Sequence, residues 1–100
     1  MSRENAIAKA VMQIASSQSN GIATFKRCYS EVPNYLALTA AERATSWTRP
    51  REPMWHQLVR NIRSHHDADG NFIDRGFLRH IPRIGYEITA AGRRWLSGQP

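Results

Sequence analysis

The sequence predicts an α+β fold, with four to five helices and a small three-stranded antiparallel sheet, in a single domain 1–100 whose ordered core runs from about 4 to 97. Two observations carry this. Trp55, Leu58, Val59 and Ile62 recur at i, i+3, i+4 and i+7, which is one face of a helix. Further on, residues 77–81 and 86–89 read as two strands joined by a tight basic turn containing Pro82 and Arg83. An amphipathic helix with arginines on its polar side, followed by such a hairpin, is the layout of a winged helix-turn-helix.

The other elements follow in order. Residues 4–17 form a helix whose buried stripe is Ile7, Ala10, Val11, Ile14 and Ala15, and the polar run 16–21 ends it at Gly21. Residues 21–23 are extended. Ile22 is apolar among polar neighbours, as expected of a short strand that pairs with the hairpin and completes the sheet. Thr24 caps a second helix running to about Glu31, which Pro33 should terminate. After an apolar link at 34–38, Thr39 and Glu42 have capping-box spacing and open a short helix ending near Trp47. Residues 48–53 are a rigid, charged connector. Pro53 suits the first position of the next helix, which runs to His65 or His66. Residues 67–71 are a turn and 72–76 a short helical turn. Thr89 caps a final helix, 90–96, which directs Trp95 and Leu96 to the core and closes at Gly98.

Composition narrows the function classes. The net charge is +6 and the pI about 10.5, which favours polyanionic partners. Of 14 cationic residues, all but Lys9 and Lys26 are arginine. Arginine pairs bidentately with phosphate or guanine, although a GC-rich genome produces the same bias. No apolar run is long enough to span a bilayer, so no membrane partner is expected. The single Cys28 lies in an apolar stripe with Phe25, Tyr29 and Val32, which fits a core thiol in a reducing cytoplasm.

The candidate site falls on two elements. With the apolar stripe packed inward, Gln57, Arg60, Asn61 and Ser64 face outward, with Arg63 at the border. Arg can read guanine, and Asn or Gln adenine, in a major groove. Arg60 has an alternative, an ion pair with Glu52 or Glu42. Arg49 and Arg51 reach phosphates near the positive end of the helix. Arg79, His80 and Arg83 surround the hairpin tip and suit a phosphate track or a narrow minor groove. Arg93 and Arg94 either join the phosphate contacts or balance the last helix dipole. His65, His66, Asp67 and Asp69 suggest a metal, but the run lacks the ligand series and terminal Glu of a calcium loop, and a post-helix turn explains it. No cofactor, metal or catalytic constellation is expected: both lysines precede residue 27, and no phosphate-binding loop or nucleophile motif is present.

Residues 21–32 (GIATFKRCYSEV), 55–62 (WHQLVRNI) and 85–93 (GYEITAAGR) together resemble the N-terminal winged-helix domain of Mrr-like restriction endonucleases, over about residues 5–96. The resemblance implies a module of a restriction system that binds duplex DNA, including modified DNA. In those enzymes a nuclease domain follows. These residues include none, so the implied partners are double-stranded DNA and a separate nuclease or effector subunit. The segment 65–76 is longer than the usual link between helix and wing. The expected function is sequence- or modification-directed binding of double-stranded DNA in the cytoplasm, on the nucleoid, with helix 53–65 in the major groove and wing 79–86 on backbone or minor groove. The alternatives are a transcriptional regulator without a restriction role, or a protein-interaction winged helix using Tyr35, Trp47 or Phe72. Oligomeric state is open.

Overall fold

The hairpin and the early strand meet in one sheet. The computed structural model describes all residues, Met1–Pro100, in the order α1 (Arg3–Ser16), β1 (Ile22–Thr24), α2 (Phe25–Tyr35), α3 (Ala40–Arg43), α4 (Trp55–Ser64), β2 (Leu78–Ile81), β3 (Gly85–Ile88) and α5 (Ala90–Ser97). The antiparallel sheet has the order β1-β3-β2. This is a winged-helix-like architecture: five helices, a hairpin and a short strand that pairs with the β3 edge of the hairpin.

α1 is the centre of the core. Ile7, Val11, Met12 and Ile14 are fully buried, and α2, α4, α5, β1 and β3 all pack on this helix. Side chains alternate across a strand. The register therefore puts Ala23, Tyr86, Leu78, His80 and Ile88 on the inner sheet face and Arg79 and Glu87 on the outer one. Two glycines permit close approach. A Cβ on Gly85 would lie 2.0 Å from the Ala23 carbonyl oxygen, and one on Gly92 would lie 2.3 Å from that of Phe77. Gly85 thus lets β1 cross at the hairpin tip, and Gly92 lets α5 rest on the entry to β2.

Local capping follows the sequence rules. Thr24, Thr39 and Thr89 accept from Arg27, Glu42 and Gly92 backbone N–H groups, and the Thr39–Glu42 box is complete. Three boundaries differ from expectation. α2 continues through Pro33 to Tyr35. The proline lies in the last turn, where its missing N–H removes one bond, while Leu36 N–H still donates to Val32 O at 3.1 Å and Val32 is fully buried. α3 stops at Arg43 instead of near Trp47, because the chain turns into a loop pinned by a Thr45–Pro53 bridge. That bridge also holds Pro53 outside α4, which begins at Trp55 with no side-chain cap from Met54.

The long link between α4 and β2 is organised by one residue. Asn71 is buried. Its Nδ2 donates to Ile62 O at 3.0 Å, and its Oδ1 accepts from the Ile73 and Asp74 N–H groups at 2.7 and 3.3 Å. It thereby satisfies a terminal carbonyl of α4 and starts the turn at 72–76. Phe72 enters the core against Phe77 and Trp95, and Arg75 lies over the Phe77 ring at 4.5 Å. No helix is long and apolar enough to cross a membrane.

Candidate nucleic-acid interface

α4 buries Trp55, Val59 and Ile62. Gln57, Arg60 and Ser64, three and four residues apart, project from the opposite face. Asn61 borders this face on the α3 side, where it lines a groove of about 340 Å³ with Ala41, Glu42, Met54, Gln57 and Leu58. Arg63 borders it on the hairpin side, near enough to His80 to act on its proton affinity.

The polar side chains form a directed chain. Arg60 Nη1 donates to Glu52 Oε2 at 2.9 Å, and Nη2 donates to Gln57 Oε1 at 3.1 Å. Gln57 Nε2 donates to Asn61 Oδ1 at 2.7 Å. The chain ends on the Asn61 amide nitrogen, which has no acceptor in the protein. Of the two acidic partners open to Arg60, Glu52 is the one it takes. Glu42 is held instead by Arg3, whose Nε and Nη2 each donate to it at 2.8 Å. The Arg3 hydrogen bonds hold the Glu42 carboxyl at about 2, against the opposing effect of burial and with help from the Thr39 N–H.

The hairpin divides the residues predicted there. Arg79 is on the outer face, exposed, with its Nε donating to Glu87 Oε1 at 3.0 Å across the strands. His80, one residue on, points inward against the Phe25 and Tyr86 rings. Burial lowers its pKa and Arg63 lowers it further, which favours the neutral ring. Arg79 and His80 therefore face opposite sides of the sheet. Arg83 stands at the tip with φ 67°, the only non-glycine residue with positive φ. It follows Pro82 in a turn closed by Ile84 N–H to Ile81 O at 3.0 Å, the pattern of a type II turn.

Several contacts tie hairpin and helices together that no local pattern announces. Tyr86, fully buried, donates its hydroxyl to Val59 O at 2.7 Å. The Ile84 carbonyl accepts the Phe25 N–H at 2.9 Å, which fastens the hairpin tip to the start of α2. His56 stacks on Tyr29 at 4.2 Å, joining α4 to α2. Burial lowers the His56 pKa; Glu52 opposes this and Arg60 adds to it.

The remaining charges are unevenly placed. All five glutamates are engaged, four by arginines (Arg3, Arg27, Arg60 and Arg79) and Glu4 by the His65 ring. Eight of the twelve arginines have no carboxylate partner. Arg49, Arg51, Arg63 and Arg83 are among these and are exposed. Ser64, also exposed, turns its hydroxyl to Arg60 O at 3.4 Å. His65 pairs with Glu4 at 2.7 Å, and Arg63 meets His66 at 2.7 Å. No three His, Cys, Asp or Glu side chains are grouped to hold a metal ion. Cys28 is buried, which pushes its thiol up to about 12. Of the aromatics singled out for a protein interface, Phe72 is in the core, whereas Tyr35 and Trp47 are exposed. No protein-family model, curated protein or solved structure matches the chain.

Proposed function

We propose that the protein binds double-stranded DNA, with α4 in the major groove and the tip of the β2–β3 hairpin on adjacent phosphates. The observation that carries this reading is the charge distribution. The glutamates are used up inside the scaffold, while unpaired arginines precede α4 (Arg49, Arg51), end it (Arg63) and cap the hairpin (Arg83). Phosphate contacts supply affinity and position, and base edges supply sequence preference. In this reading Arg49, Arg51 and Arg83 hold phosphates, and Asn61 and Gln57 meet base edges. Arg60, braced by Glu52, keeps Gln57 in place. Ser64 and Arg63 flank the contact. Arg79 joins the phosphate track once it parts from Glu87, and His80 supports the hairpin from within. The likeness of the three sequence segments to Mrr-like restriction endonucleases favours a targeting role in a restriction system, beside a separate nuclease or effector subunit and on the nucleoid of the cytoplasm.

The test is binding to a mixed-sequence duplex over a range of salt. Each phosphate neutralised contributes about −0.9 to the slope of log K against log salt. Arg83→Ala should weaken all sequences alike, and Asn61→Ala should change preference by roughly 1–3 kcal/mol at one position. An affinity indifferent to salt would overturn the reading. A second reading, docking of a protein partner, is favoured by one observation: Trp47 is 92% exposed. Partner capture that Trp47→Ala abolishes, with no DNA binding by the unmodified protein, would establish it.

A further inference from the structure

The connector ahead of α4 is a closed loop. At its neck Met54 N–H donates to Ala44 O and Ser46 N–H to Glu52 O, both at 2.8 Å, and Thr45 bridges Pro53. Inside it the buried Ser46 hydroxyl accepts from the Thr48 and Arg49 N–H groups at 3.3 and 3.2 Å. Glu52 N–H donates to Arg49 O at 2.9 Å. A loop bonded this way fixes the backbone from which its outer side chains project. The outermost is Trp47, 92% exposed, whereas Trp55 nearby in the chain is 4% exposed. The one carboxylate of the loop, Glu52, is turned to Arg60. Arg49 and Arg51 have no partner, and with Pro50 and Glu52 they line an open hollow of about 340 Å³.

We propose that Trp47 is a stacking platform for a nucleobase displaced from the duplex stack beside α4, with Arg49 and Arg51 on the phosphates that flank it; this rests on the DNA-binding reading. An indole offers a π-face to any base, and such stacking is sequence-tolerant. A base inside an intact duplex cannot present that face, so the ligand is an unpaired or extruded nucleotide. A polar rim around a tryptophan also suits a protein interface. What favours a nucleotide here is charge, because Arg49 and Arg51 are exposed with no carboxylate partner and the loop's one carboxylate is already bonded to Arg60. Because the loop backbone is hydrogen-bonded, stacking costs the indole's own rotamer freedom and little backbone freedom.

The experiment compares two short duplexes of one sequence, one intact and one carrying a single unpaired nucleotide, by fluorescence anisotropy with the full chain. The unpaired nucleotide should tighten binding roughly five- to a hundred-fold and quench indole emission. Trp47→Ala should erase that gain, and Trp47→Phe should keep most of it. Far-UV circular dichroism checks that the exposed-loop variants stay folded. Equal affinity of the unmodified protein for both duplexes overturns this inference and leaves the DNA reading standing. A gain that survives in Trp47→Ala also overturns it. Failure to bind either duplex overturns both.

Discussion

The hydroxyl of Tyr86 donates to the carbonyl of Val59 across 2.7 Å, so the second strand of the hairpin is bonded to the middle of α4. Both residues are fully buried. The hairpin and the helix therefore hold one relative position, and a ligand meets them together. Tyr86→Phe keeps the ring packing and removes this bond, while the Val59 carbonyl keeps its place in the α4 ladder. Stability should fall by about 0.5–1.5 kcal/mol, read as a lower urea midpoint with an unchanged m-value. An unchanged midpoint would show that the bond contributes nothing to holding the two elements.

Glu42 gives the fold an acid limb. Its folded pKa is about 2 against an ordinary 4.5, chiefly because Arg3 hydrogen-bonds it. A depressed carboxyl pKa stabilises the fold above the unfolded value, and this contribution is lost as pH falls through the folded value. The Glu42 contribution should thus be complete above about pH 5 and disappear toward pH 2. Glu42→Gln should cost about 1–3 kcal/mol at pH 7. The gap between variant and parent should close with acid, as measured by denaturation at stepped pH.

Glu52 restrains Arg60 through a half-buried pair at 2.9 Å. Under the DNA-binding reading, Glu52→Gln frees one cation beside the groove. The freed cation should raise affinity for every duplex at low salt and steepen the salt slope by up to about 0.9, while preference among sequences falls because Gln57 loses its brace. An unchanged slope and preference would mean that Arg60 meets no phosphate and braces nothing.

Arg83 occupies the left-handed region at the hairpin tip, where an L side chain is strained. Arg83→Gly should raise stability by about 0.5–1 kcal/mol and, under the same reading, weaken DNA binding with a slope shallower by about 0.9. A thermal melt and a salt titration separate the two effects. If stability and affinity fall together, the arginine is structural.

What could be read in the sequence was what short-range chemistry determines. Thr24, Thr39 with Glu42, and Thr89 cap helices because a hydroxyl three residues ahead of a free N–H can reach it. The stripe at Trp55, Val59 and Ile62 is periodic, and so is its burial. The side chains of the hairpin were less legible. Whether His80 or Arg79 faces solvent turns on a register of one residue, and Arg79 found its acid, Glu87, on the partner strand. Arg60 met Glu52 only because the intervening loop closes on itself. Pro33 misled as a stop, since burial of Val32 outweighs one lost bond. Asn71 looked like a turn residue, and its reach back to Ile62 depends on where the core places it.

The uncapped start of α4 has a thermodynamic consequence. Met54 offers no side-chain acceptor to the first turn, and no acidic residue lies in that turn. The positive end of the helix dipole is thus left uncompensated by the turn itself, and a negative charge placed there stabilises a helix by about 0.3–1 kcal/mol. Under the DNA-binding reading an arriving phosphate supplies that charge, so ligation and folding reinforce each other at α4.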